Sequence, residues 1–126
     1  MKGSYILILN LENNKTIKVG KLRNIDFKKG IYVYVGSGLN SLEKRVQRHF
    51  STQKKTHWHI DYLLAHAKIV NAFLNPSNEK EECIIARSFD KLEKIKGFGC
   101  SDCKCDSHLF YGSLKDIIQI IDKFKL

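Results

Sequence analysis

Tyr34-Val35-Gly36-Ser37-Gly38, followed by Arg45 and the run Gln47-Arg48-His49-Phe50, decides how the rest of this chain is read. The aromatic and β-branched start suits a strand, the glycines a tight turn, and the residues after them a helix. Leu39, Leu42, Val46 and Phe50 recur at helical spacing and face a core. With Leu42 as origin and about 100° per residue, Arg45 and His49 fall at the border of that stripe, while Lys44 and Arg48 point outward. A guanidinium fixed beside the end of a strand suits a phosphate held in one geometry. From this segment alone, an ordinary basic amphipathic helix is the reading to prefer.

Working outward, Ile31 to Val35 is continuously apolar and β-prone, which places it centrally in a sheet. Gly3 to Leu11 alternates weakly and reads as a first strand; Glu12 to Lys15 is a turn and Thr16 to Val19 a short returning strand. Helices are expected over Leu39–Thr52, Trp58–His66, Glu79 to Lys94 and Leu114–Phe124, with a strand at Ile69–Leu74. On the second helix Trp58, Tyr62 and Ala65 form the packed face, and His57 and Asp61 share another. The result is an α/β fold with a small mixed central sheet flanked by helices, one domain over residues 1–126.

Composition narrows the partners. A chain of 126 residues with 43% hydrophobic and 28% charged residues is long enough for one modest core. The formal net charge of +9 favours a polyanion. No apolar run approaches the roughly 20 residues that span a bilayer, and Ile6 to Leu9 is too short for a signal-peptide core, so no membrane and a cytoplasmic setting are expected. In a reducing compartment the four cysteines are thiols or metal ligands rather than a disulfide framework.

Cys100-x-x-Cys103-x-Cys105-x-x-His108 supplies four nitrogen and sulfur ligands within nine residues, the set a tetrahedral zinc ion takes. A loop of free thiols is the alternative. Cys83, or one of His57 and His59, would complete a metal site with less crowding.

The Tyr34-Val35-Gly36 strand end, with Arg45 nine residues after the glycine and His49 one turn on, resembles the second half of the GIY-YIG nuclease module of homing endonucleases. Lys54-Lys55-Thr56-His57-Trp58-His59-Ile60-Asp61-Tyr62, Glu82-Cys83 and Gly97-Phe98-Gly99-Cys100 resemble one branch of that superfamily, the Uri-type endonucleases, also seen fused to some endonuclease III proteins. The resemblance covers nearly the whole chain. It implies a metal-dependent DNA endonuclease, with a role in repair and with single-stranded or branched DNA as substrate. The literal Gly30-Ile31-Tyr32 shares a strand with Tyr34, so the first tyrosine motif is better matched by Gly3-Ser4-Tyr5 on a neighbouring strand. The 28 residues between Tyr5 and Tyr34 are more than the homing enzymes have, and an inserted hairpin around Thr16–Val19 accounts for the excess.

Carried onto these positions, the resemblance makes Tyr5 and Tyr34 flank the scissile phosphate, Arg45 bind it, and His49 assist. His57 corresponds to a further catalytic histidine. Gly36, Lys44, Arg48, Lys54 and Lys55 line the path of the substrate. Glu82 is the candidate ligand for one Mg²⁺ or Mn²⁺; as a plain residue it is also an acidic group complementing a helix N-terminus. The tyrosines by themselves are equally amphipathic strand residues. Two rival classes stay open: a catalytically weak nucleic-acid-binding accessory domain and a zinc-stabilised protein-interaction module. Oligomeric state is not legible.

Overall fold

The computed structural model describes residues 1–38, 41–51, 56, 58–100 and 103–124. Strand β1 (Gly3–Leu11) lies between β5 (Lys68–Pro76) and β4 (Gly30–Gly38). Beyond β4 come β7 (Leu109–Tyr111) and β6 (Glu93–Lys94), giving the order β5-β1-β4-β7-β6. Strands β2 (Lys15–Val19) and β3 (Arg23–Phe27) form a separate two-stranded ribbon. The helices are α1 (Leu42–Phe50), α2 (His59–Leu64), α3 (Glu82–Arg87) and α4 (Leu114–Asp122).

The α/β class stands, with β4 in the middle of the sheet. Where a mixed sheet was expected, every ladder is antiparallel. Strands β4, β5 and β6 run in the same direction, but β1 separates β5 from β4 and β7 separates β4 from β6, so no two hydrogen-bonded neighbours are parallel. The returning strand pairs with β3 instead of with β1. Arg23-Asn24-Ile25-Asp26-Phe27 is a period-two strand in its own right, and Ile17, Val19, Ile25 and Phe27 bury together on one side of the ribbon. In the chain, this ribbon lies between the strands that carry Tyr5 and Tyr34.

Alternation along β1 and β4 sorts side chains between two cores. Tyr5, Leu7, Leu9, Leu11, Tyr32 and Tyr34 face the core that α1, α2 and the β2–β3 ribbon cover. Ile6, Ile8, Val33 and Val35 face the other, filled by Ile85 and Phe89 from α3 and the turn after it, and by Ile117, Ile120 and Ile121 of α4.

Several boundaries moved. Helix α1 begins at Leu42, later than expected, because Ser41 caps it: its Oγ accepts from the Lys44 N–H at 3.3 Å. The helix ends at Phe50, whose ring is exposed and not in the core, and Leu39 and Thr52 lie outside the described residues. Ala65, expected on a packed face, is exposed at the end of the short α2. The long helix expected from Glu79 to Lys94 shrinks to six residues. Ser88 Oγ donates back to Ile85 O, and the chain then turns so that Phe89 enters the core and Glu93–Lys94 joins the sheet edge.

Candidate functional site

The register of β1 against β4 pairs Tyr5 with Gly36 and Leu7 with Tyr34, so both tyrosines share one face on neighbouring strands. Their ring centroids are 6.3 Å apart. Gly36 is what lets Tyr5 lie down: a Cβ there would come within 2.3 Å of the phenol ring. From α1, His49 reaches the same spot, and its Nε2 and the Tyr5 hydroxyl share a 2.6 Å hydrogen bond. Arg45, one turn earlier, donates from Nη1 to Ser37 O at 2.8 Å, just past the Tyr34-Val35-Gly36 strand end. Tyr5, Tyr34, Arg45 and His49 therefore converge as expected.

Sequence reasoning missed how the second helix completes this cluster. Two guanidinium groups lie over the Trp58 ring, Arg45 Cζ 4.4 Å and Arg48 Cζ 4.3 Å from its centroid. Arg48, expected to point outward into solvent, turns back and pairs with buried Asp61 through two bonds, 3.0 and 3.1 Å long. Asp61 also accepts from the Trp58 N–H at 2.9 Å and so closes the first turn of α2. A helical wheel drawn on α1 alone cannot see a carboxylate that α2 brings. Lys44 is exposed, as its place on the outer side of the helical wheel predicts. His57, Lys54 and Lys55 lie outside the described residues.

Burial dominates the electrostatics of the two tyrosines. It pushes both phenols well above their ordinary value; for Tyr5 the neighbouring Tyr34 adds to this, and Arg45 works against it in both. Both are neutral hydroxyls at physiological pH. Glu82, at the start of α3, also raises both, which places its carboxylate within electrostatic reach of the pair. A carboxylate there can supply one oxygen to a hard divalent cation.

A second cluster sits behind the strand end. Cys83, Cys103, Cys105 and His108 place their ligand atoms within 4.8 Å of one another, a Cys3His set that could hold a metal ion. Tetrahedral bonds of about 2.3 Å put sulfur atoms roughly 3.8 Å apart, within that spread. His108 is buried and its Nδ1–H donates to Val35 O at 3.0 Å. That leaves Nε2 turned to the thiols, 3.3 Å from Cys103 Sγ and 3.9 Å from Cys83 Sγ, the orientation of a metal-ligating imidazole held by a backbone carbonyl. Burial raises the thiols of Cys83 and Cys105, so metal uptake here displaces protons. Three of the four expected ligands are in the cluster. Cys83 stands where Cys100 was expected, and the Cys100 thiol donates to Phe98 O at 3.4 Å. Four ligands drawn from nine consecutive residues crowd one ion; a ligand from another element relieves that.

The fold and these two clusters define a small α/β protein with a tyrosine–histidine–arginine site backed by a Cys3His centre. The chain belongs to the family described as domain of unknown function DUF123, whose model matches residues 4–125. No curated protein and no solved structure matches it. Among the described residues, no helix is long and apolar enough to cross a membrane.

Proposed function

We propose that this protein is a metal-dependent DNA endonuclease of the GIY-YIG type, acting in repair on single-stranded or branched DNA, with Zn²⁺ in the Cys3His centre and Mg²⁺ or Mn²⁺ at Glu82. The observation that carries the reading is the meeting of Tyr5, Tyr34, His49 and Arg45 at one strand end. Phosphodiester hydrolysis needs a cation for the developing negative charge and a proton acceptor for the attacking water. Arg45, held by Ser37 O and the Trp58 face, offers a planar fork to two phosphate oxygens. A neutral buried tyrosine is a poor base, so the proton route runs through a pair. With His49 Nε2 free of its proton, Tyr5 donates to it and can take a proton from water in the same motion. A divalent ion held by Glu82 would add charge neutralisation on the phosphate. The +9 net charge and exposed Lys44 suit the polyanion.

The accessory-binder reading is favoured by a different observation: Tyr5 and Tyr34 are only 2% and 8% exposed, so little of either side chain is open to a phosphate. Nicking of single-stranded, branched and duplex DNA decides between the two. Because chelators strip both metals, the hard ion should be omitted and restored at constant Zn²⁺. Cleavage that appears with Mg²⁺ or Mn²⁺ and is lost in Arg45→Ala supports the nuclease. Retardation of DNA with no cleavage under any divalent ion leaves the binder.

A further inference from the structure

We infer that the Cys3His centre is a positioning device for the tyrosine site: a metal bound there holds Glu82 and the wall behind Tyr34 in place, so its loading sets the competence of that site. The inference deepens the nuclease reading and rests on it for its activity arm alone.

Helix α3 is the weak link that makes a metal tie necessary. It has six residues, its N-cap Glu81 makes no side-chain cap bond, and only Ile85 and Ala86 are buried. A helix this short has little stability of its own. Cys83, in its first turn, is the single ligand from outside the loop that carries Cys103, Cys105 and His108. A metal bonded to all four fastens the start of α3 to that loop, and Glu82 is the residue directly before the fastening point. Glu82 Oε2 lies 3.7 Å from His108 Nδ1, so the ligating imidazole and the candidate carboxylate are also neighbours in space.

The loop end of the tie leads to Tyr34. His108 is pinned to Val35 twice: the Val35 N–H donates to His108 O at 3.0 Å, and His108 Nδ1 donates to Val35 O. Val35 follows Tyr34 directly. Gly99 is wedged between His108 and Tyr34, with a φ of +75° that favours glycine; a Cβ there would stand 3.2 Å from His108 Cβ and 3.3 Å from the Tyr34 ring. Phe98 completes the wall, its ring centroid 6.2 Å from that of Tyr34. One coordination sphere thus touches both the helix that carries Glu82 and the loop that backs Tyr34.

Hydrogen exchange and nicking, measured on the full chain with zinc, after zinc removal, and in Cys83→Ser, test this. Zinc removal and Cys83→Ser should each speed exchange of the Ile85 and Ala86 amides at least tenfold, while amides in the middle of β1 and β4 keep their protection. Cd²⁺ should restore the stripped wild type. The Mg²⁺ concentration for half-maximal nicking should rise tenfold or more in both metal-poor forms. Cys100→Ser, whose thiol is outside the cluster, should match the wild type. Unchanged α3 exchange would overturn the inference, as would simultaneous loss of protection everywhere, which marks a global staple. If α3 loosens as expected but even the zinc-loaded protein never cuts DNA, the positioning stands and the nuclease reading falls.

Discussion

On β1, Ile6 and Ile8 enter a core made of aliphatic side chains and phenylalanine, while Tyr5 and its partners on the opposite face enter one that also holds His49 and Asp61. Both faces belong to the same strands and both are closed by two helices, so the sheet does not cause the difference. The helices do. Those on the polar face carry charged groups at the edge of their apolar stripes, and α1 and α2 supply the partners these groups need: Tyr5 with His49, Arg48 with Asp61. Burying such groups without partners would cost about 2–7 kcal/mol each. The apolar face therefore rests on packing alone, whereas the polar face adds to its packing matched pairs that can be put to chemical use.

Substitutions on the two faces should separate stability from activity, and the largest stability loss should come from the apolar side. Phe89→Ala leaves a cavity between the sheet and α4 and should cost about 3–5 kcal/mol in urea unfolding. A loss below about 1 kcal/mol would mean that this core is loosely filled. Next comes Asp61→Asn. It removes the charge that Arg48 pairs with, but Arg48 is partly exposed and water can take it over, so the cost should be nearer to about 2 kcal/mol than to the roughly 3–5 of a fully buried pair. Because Arg48 and Arg45 stack on the same indole, this change should also lower DNA affinity. Unaltered stability and binding would show that the Arg48–Trp58–Arg45 stack does not depend on the ion pair.

Tyr5→Phe should cost only about 1 kcal/mol, the net value of one hydrogen bond. Its informative effect is with pH. Burial raises the Tyr5 and Tyr34 phenols above their unfolded value, so the folded state favours the neutral form. Their contribution is fully present below the unfolded value of about 10 and is lost as pH rises beyond it. The stability of the wild type should fall between about pH 10 and 11 more steeply than that of Tyr5→Phe. Equal slopes would mean that Tyr5 ionises as freely folded as unfolded.

Much of this was legible in the sequence because it is local. The weak alternation from Gly3 to Leu11 and the apolar, β-prone run from Ile31 to Val35 put Tyr5 and Tyr34 on strands, and the 3.6-residue stripe of α1 put Arg45 and His49 at its border. What escaped depends on how elements dock. Arg48 was read as outward because its partner comes from α2, thirteen residues on; Cys83 was one of three residues offered to complete the metal set, and it is the docking of α3 beside a loop twenty residues later that puts it in the Cys3His cluster. Strand β3 was readable, since Ile25 and Phe27 alternate with polar residues, but a short charged strand with no hairpin signature is easily taken for loop.

The smallest stability change should fall on the residue with the largest catalytic one. Arg45 is half-buried, donates to one backbone carbonyl and stacks on Trp58, so little of the core depends on it. Arg45→Lys keeps the positive charge and an ammonium over the indole, and unfolding should shift by no more than about 0.5 kcal/mol. A lysine presents a point charge, however, and cannot offer two parallel N–H groups to two phosphate oxygens. Under the proposed function the cleavage rate should fall about a hundredfold, the scale of deleting one transition-state donor, with DNA retardation nearly unchanged. Cleavage that survives Arg45→Lys within a few-fold would reduce Arg45 to a generic cation and would leave the tyrosine–histidine pair without the phosphate clamp the proposal requires.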